Sequence, residues 1–184
     1  PNINTSANFP DSNFRGVVEE FMGVEPGGWF TAAQAQTKTE GLNCSGMDIA
    51  DMAGIEYFQN ISVLRCDNNE LSTLDLSSNT ALERLYCYAN QLTTLLLPDT
   101  ESLYLIYCYS NNITELDLSN NTSLDFVKCQ NNQIYDLTHF VNNTGLNDGD
   151  LVDVQNNNLT DDDLSDIQIL ESRIGDDFYY NINN

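Results

Sequence analysis

Basic residues are scarce in this chain. Its 184 residues include six Lys and Arg against 28 Asp and Glu, a formal charge of −22 at pH 7. A field of that sign repels a nucleic-acid backbone, so nucleic acid is excluded as a partner, and so is docking on a bare anionic membrane. No apolar run approaches the roughly 18 residues that a span requires, which excludes membrane insertion. Histidine occurs once, at His139, so a Cys–His or Ser–His–Asp machine would have to use that residue. There is no G-x-G-x-x-G, no P-loop and no H-E-x-x-H. Cysteine occurs five times, an odd number that forbids complete pairing within one chain. The chain begins at Pro1 instead of an initiator Met, which carries the expectation that any signal peptide has been removed.

What is present is mostly uncharged. Charged residues make up 18% of the chain, yet mean hydropathy is −0.35. Asn, which occurs 25 times, supplies much of the difference. The length suits one domain, and a chain of this size hides roughly 70% of its unfolded surface on folding.

The cysteines carry a period. They stand at Cys44, Cys66, Cys87, Cys108 and Cys129, spaced by 22, 21, 21 and 21 residues. Around them the text aligns as ISVLRCDNNELSTLDLSSNTA from Ile61, LERLYCYANQLTTLLLPDTES from Leu82, LYLIYCYSNNITELDLSNNTS from Leu103 and LDFVKCQNNQIYDLTHFVNNTG from Leu124. A fifth copy from Leu146 puts Val154 in the cysteine place, and a degenerate leading copy has Met47 where the others have Asn. Leu and Cys in L-x-C point inward from a short strand while the residues between point out. One copy cannot bury its apolar side, but a stack of parallel copies about 4.8 Å apart can. The Asn that follows is placed at a sharp turn, where an amide can both donate to and accept from stranded backbone groups. Asn69, Asn90, Asn111, Asn132 and Asn157 are expected to form a ladder there, and Asn79, Asn121 and Asn143 to mark the opposite turn, with Thr100 breaking that series.

The pattern L-x-x-L-x-C-x-x-N-x-L-x-x-L-x-L resembles the leucine-rich repeat with Cys at a core position. The L-x-x-L-D-L-S-x-N segments are similar to those of bacterial internalin-like surface proteins. The resemblance covers about residues 39–160. It implies an α/β leucine-rich-repeat solenoid, a right-handed superhelix with parallel strands on its concave face and about five repeats of 21–22 residues. Residues 1–38 would form a helical N-terminal cap, 39–160 the repeats and 161–184 a C-terminal cap, all within one structural domain. It also implies a bacterial module, secreted or held at the cell surface, that adheres to a protein or glycan ligand, host-derived ones included; the chain is expected to act as a monomer.

The caps have their own signals. Phe14, Val17, Val18 and Phe21 give a helical stripe over 11–22, with Asp11 or Ser12 as its cap. Thr31 and Gln34 form a capping-box pattern, as do Thr160 and Asp163. Leu164, Ile167, Leu170 and Ile174 predict a second inward stripe, and Phe178, Tyr179 and Tyr180 a last extended segment. Between the first two helices the loop carries one carboxylate, Glu25, whereas calcium takes six to eight oxygens, so no calcium is expected there. Ten acids and one Arg crowd residues 148–177, which reads as a solvated acidic cap, with an Asp-rich cation site as its alternative.

Chemistry finds little purchase on these residues. The cysteines sit at inward positions, where they act as small hydrophobes with free thiols, and a straight ladder does not offer zinc a tetrahedron. Phe140 is expected to fill the core of its repeat and push His139 to the surface. No catalytic residue, metal or cofactor is assigned. What remains is the outward face of the L-x-C strands. Arg65, Tyr86, Tyr107 and Lys128 precede the cysteines; Asp67, Tyr88, Tyr109 and Gln130 follow them; Val63, Arg84, Leu105 and Phe126 complete the strands. The candidate ligand-binding set is therefore Arg65, Arg84, Tyr86, Tyr88, Leu105, Tyr107, Tyr109, Phe126 and Lys128. Aromatic and Arg side chains are enriched at binding hot spots. The same row also reads as a self-satisfying structural ladder, because Tyr favours strands and cations favour its ring faces. A spacer within a larger surface protein and a hydrolase using surface carboxylates stay open as other functions.

Overall fold

The computed structural model describes residues 1–182. Along the chain lie helices α1 (Ser12–Met22) and α2 (Ala32–Ala35), then strands β1 (Leu42–Asn43), β2 (Val63–Arg65), β3 (Thr73–Asp75), β4 (Arg84–Tyr86), β5 (Thr94–Leu96), β6 (Leu105–Tyr107) and β7 (Phe126–Lys128). Helix α3 (Thr138–Asn142), strand β8 (Leu151–Asp153), helix α4 (Leu164–Ile174) and strand β9 (Phe178–Tyr179) follow. One parallel sheet runs β1-β2-β4-β6-β7-β8-β9, so each turn of the chain contributes one short strand. The second ribbon, β3 with β5, lies on the other side of the turns. The chain is a leucine-rich-repeat solenoid.

The register follows the repeat alignment letter by letter. Leu42, Leu64, Leu85, Ile106, Val127, Val152 and Phe178 form one inward column, each the strand partner of the next. All are buried, and each side chain withdrawn from water contributes on the order of 1.5–3 kcal/mol. Cys44, Cys66, Cys87, Cys108 and Cys129 form the next column; all five are fully buried free thiols. Their backbone continues the ladder past the strands, as in Cys66 N–H to Tyr86 C=O at 2.8 Å and Cys87 N–H to Tyr107 C=O at 2.9 Å. Burial pushes the Cys44 and Cys108 thiols up to about 12, with the charge of Asp67 adding to the effect at Cys44, and it holds Cys66, Cys87 and Cys129 well above the usual thiol range.

The Asn ladder closes each turn. Asn111 Nδ2 donates to Cys87 O and Cys108 O, both at 3.0 Å, while its Oδ1 accepts Leu92 N–H at 2.9 Å. Asn90 and Asn132 repeat the pattern one rung to either side, and Asn69 and Asn157 carry it to the ends. The residue before each of these Asn adopts a left-handed backbone: Asn68, Ala89, Ser110, Asn131 and Asn156, with φ between 53° and 58°. At the opposite turn, Asn79, Asn121 and Asn143 donate to buried carbonyls of the preceding turn, with Thr100 O itself an acceptor for Asn121 at 3.0 Å.

Both ends are closed as the stripes predict, with one exception. Asp11 caps α1 by accepting from Asn13 and Phe14 N–H, each at 2.9 Å, and its other oxygen accepts Ala50 N–H at 2.8 Å, tying the cap to the first turn. Phe9, Phe14, Phe30 and Phe58 are fully buried beneath it. Both capping boxes form, at Thr31 with Gln34 and at Thr160 with Asp163. At the far end Ile167, Leu170 and Ile174 are buried, but Leu164 is 41% exposed, which corrects the expected inward stripe. At about 100° per residue those three cluster on one side of the helix, and Leu164 falls roughly 90° away from their centre.

Candidate functional site

The outward sheet face is built by the same register. Arg65, Tyr86, Tyr107 and Lys128 are successive strand partners and form one row. Val63, Arg84, Leu105, Phe126 and Leu151 form a second. Asp67, Tyr88, Tyr109 and Gln130, each the residue after a core Cys, form a third. All nine candidate residues therefore share one surface. Arg65 and Phe126 are exposed, and the other seven are half-buried.

The rings are packed against neighbours within their rows. Tyr88 and Tyr109 are parallel-stacked, 4.6 Å between centroids and 4° between planes. Tyr86 and Tyr107 meet edge-on at 5.5 Å and 85°. The Arg65 guanidinium lies 4.1 Å from the Tyr86 ring centre and the Lys128 ammonium 5.1 Å from that of Tyr107. Asp67, absent from the candidate set, is buried at the head of its row, where Ser45 Oγ and Asn68 Nδ2 each donate to it at 2.8 Å. Burial, followed by the hydrogen bond and charge of Asp67, raises the Tyr88 phenol above its usual range. Burial and then the charge of Asp67 do the same at Tyr109.

The cations on this face lack anions among the described residues. Among the described residues the ion pairs are Lys38 with Glu40 and His139 with Glu115 and Asp117. Arg15 and Arg173 donate to backbone carbonyls elsewhere. Arg65, Arg84 and Lys128 have neither a carboxylate nor a side-chain hydrogen bond among the described residues. Arg84 Nε and Gln130 Oε1 are enclosed without partners, and an unmet buried polar atom costs about 1–3 kcal/mol.

Two further groups add to the sequence reading. His139 lies at the surface, as expected, with its side chain 29% exposed: Nε2 stands 3.0 Å from Glu115 Oε1 and Nδ1 3.1 Å from Asp117 Oδ1. The inserted residue of that repeat is absorbed by α3, which sets the ring over the preceding turn; Phe140 is fully buried, as expected. In the N-terminal cap, Glu19 joins the loop that Glu25 alone had represented. It is buried and accepts from Asn4 Nδ2 at 2.8 Å and Gly27 N–H at 3.1 Å. Only the spacing of Glu19 beside Val18 on α1 hinted at this. No group of three or more His, Cys, Asp or Glu suited to a metal occurs among the described residues.

No family model matches the chain. Over 72 residues it is 39% identical to internalin J of Listeria monocytogenes, a match that covers 39% of this chain and 8% of that protein. Among solved structures it is similar to the functional domain of InlJ from Listeria monocytogenes, described as including a cysteine ladder: 29% identity, TM-score 0.60, 97% of this chain and 43% of that one. A secreted internalin-like protein of the same organism superposes with TM-score 0.66 at 18% identity, over 97% of this chain and 65% of that one. Internalin C2, also from Listeria monocytogenes, gives 0.59 at 21%, over 94% and 85%. The last two show the shared fold alone. The chain spans less than half the length of either internalin J comparison.

Proposed function

We propose that this leucine-rich-repeat protein, which resembles bacterial internalin-like secreted and cell-surface proteins, is an extracellular adhesion module acting as a monomer, without catalytic activity or cofactor. Its sheet face takes the ligand, a protein or a glycan. Internalin-like proteins are in general protein-binding surface proteins, which supports the binding class. Among the described residues no helix is long and apolar enough to cross a membrane. The observation that carries the reading is the cluster of four half-buried tyrosines flanked by cations that find no anion of their own among the described residues. Fold alone does not fix a ligand, so the case rests on that surface.

The test is a screen of the parent chain against host surface proteins and glycans, repeated with Tyr86→Ala/Tyr107→Ala. A central aromatic pair contributes 2 kcal/mol or more when it is a hot spot, about a thirtyfold loss of affinity. A double variant that binds as tightly as the parent overturns the proposal.

A second reading is favoured by the mutual packing of the rings. If the row is only a structural ladder within a spacer, the double variant loses stability through the 5.5 Å ring contact and two cation–π contacts, and the parent binds nothing through this face.

A further inference from the structure

We propose that the occupant of the sheet face is an extended acidic peptide segment of a partner protein, lying along the stack with carboxylates at Arg65 and Lys128. This rests on the reading of that face as the ligand surface. It adds the chemistry of the ligand and its spacing.

Three observations carry it. First, the ring faces are occupied by protein. Tyr88 and Tyr109 cover each other, Arg65 lies over Tyr86, Lys128 lies over Tyr107, and Tyr86 and Tyr107 meet edge-on. A neutral sugar that stacks on an aromatic platform needs an open ring face. This surface presents chiefly ring edges and phenol hydroxyls, and the edge is the positive end of the aromatic quadrupole. Edges, the phenol hydroxyls other than that of Tyr88, which Asp67 already holds, and ammonium or guanidinium groups all favour a negative guest.

Second, the cations are unclaimed in a chain that is rich in acids. Three of the six basic residues stand on this face, and among the described residues none of the three has a carboxylate within ion-pair distance. The acids that flank them are Asp67 and Asp153. Asp67 is buried and already accepts from Ser45 and Asn68, and Asp153, the strand partner of Lys128, forms no ion pair with it. Cation–π contacts hold Arg65 and Lys128 in position while leaving their hydrogen-bond donors free. Arg84, between them in the neighbouring row, has an enclosed Nε with no acceptor.

Third, the spacing suits a peptide. Arg65 on β2 and Lys128 on β7 are three rungs apart in the sheet, about 14 Å at 4.8 Å per rung. An extended chain advances about 3.3 Å per residue, so two acids four positions apart span that distance and point to the same side. Residues between them would meet the tyrosine edges, with Leu105 and the exposed Phe126 alongside.

The experiment selects a displayed random 12-residue peptide library on the parent chain at low salt and reads the sequences recovered. Peptides with Asp or Glu at i and i+4 are expected to dominate. Their affinity should fall at least tenfold when both acids are replaced by Gln, and at least tenfold on the folded Arg65→Glu/Lys128→Glu variant. The milder Arg65→Gln/Lys128→Gln variant should fall between, and raising salt should weaken binding, because exposed charges are screened. Sequences with no acidic enrichment, or acidic peptides that bind the charge-reversed variant equally, overturn the acidic-peptide proposal. If such non-acidic peptides are nonetheless lost with Tyr86→Ala/Tyr107→Ala, the face is still the ligand surface. A heparin oligosaccharide run in parallel tests the other anionic source: heparin binding with no acidic peptide recovered overturns the peptide and points to a sulfated glycan. A library whose binders ignore both variants overturns the face itself.

Discussion

Asn111→Ala tests the physics of the Asn ladder most directly. The side chain is 8% exposed and makes three bonds of good length, two as donor and one as acceptor. Its removal strands Leu92 N–H, whose recorded partner is Asn111 Oδ1. Leaving that donor unmet costs about 1–3 kcal/mol. Cys87 O keeps Asn90 at 3.1 Å and Cys108 O keeps Asn132 at 3.1 Å, so each carbonyl loses one bond of two, about 0.5–1.5 kcal/mol apiece. The expected loss is about 2–6 kcal/mol, a large share of the 5–15 kcal/mol of a typical domain. Urea unfolding followed by far-UV circular dichroism reads it as a lower midpoint at unchanged slope. Asn120→Ala is the control. Asn120 is exposed, donates to Asp99 at 3.0 Å, and should change stability by no more than about 0.5 kcal/mol. Asn111→Asp keeps the acceptor for Leu92, loses both donors and aims a carboxylate at two carbonyls, so at pH 7 it should be no more stable than the Ala variant. An Asn111→Ala loss below about 1 kcal/mol, or one equal to that of Asn120→Ala, would refute the account.

Three other predictions follow from the same structure. The five thiols, fully buried and with pKa values pushed up to about 12 at Cys44 and Cys108, should resist iodoacetamide at pH 8 in the native state and react together once urea unfolds the chain; since the raised values keep the native thiols protonated, their contribution to stability is complete below the ordinary thiol range and declines as pH rises through the folded values, so a urea midpoint that falls at alkaline pH is the second readout. Asp11→Ala should cost about 1–2 kcal/mol in thermal unfolding, because both α1 and the first turn lose their anchor; burial works to raise the Asp11 pKa, but four backbone N–H bonds outweigh it and hold it below the usual carboxylate range, so that contribution is present above about pH 4 and fades as pH falls through the lower folded value. Ala89→Gly should raise stability by up to about 1 kcal/mol, since Ala89 holds φ 53° where a Cβ is disfavoured, and an unchanged or lower melting temperature would show that the left-handed turn carries no such penalty.

Most of this architecture was legible because a period repeats one chemical decision. The five cysteine positions located the strands, the core column and the outward rows, and the Asn three places on located the turns. What the letters could not convey was geometry within a row. Tyr86 and Tyr107 meet edge-on while Tyr88 and Tyr109 stack, although both pairs have the same register and the same residue types. The difference lies in the neighbours: cations on the ring faces of one pair and a buried carboxylate at the head of the other. Glu19 and Leu164 escaped for a related reason. A short helix fixes which residues are near its buried side, but the cap loop or the preceding tight turn decides which of them are covered.

A solenoid also constrains charge in a way that a net value of −22 conceals. Any acid written into the repeat would recur about 4.8 Å away on the next turn, and like charges directly opposite are destabilising. At one position of the β3–β5 side the chain departs from its own consensus where that would happen, whereas on the sheet side Asp125 and Asp150 stand in register, and burial together with the charge of Asp125 holds the Asp150 carboxyl above its usual range. Asp75 has Leu96 as its strand partner, and Asp117 falls one further repeat on; Leu96 is left 49% exposed, an apolar residue kept at the surface between two acids. One turn later His139 stands against Glu115 and Asp117 and offers both ring nitrogens to them. The sheet face follows the same rule with the opposite emphasis. Between Arg65 and Lys128 its row carries two neutral rings, and Asp153 enters only beyond Lys128. In the row from Arg65 to Lys128 the like charges are thus spaced apart by aromatic rings, and the cations keep donors free of any carboxylate among the described residues. That row of rings between cations has no counterpart in the requirements of stacking, which a row of Thr or Gln would meet, and it is the physical reason to look for the ligand on the sheet side.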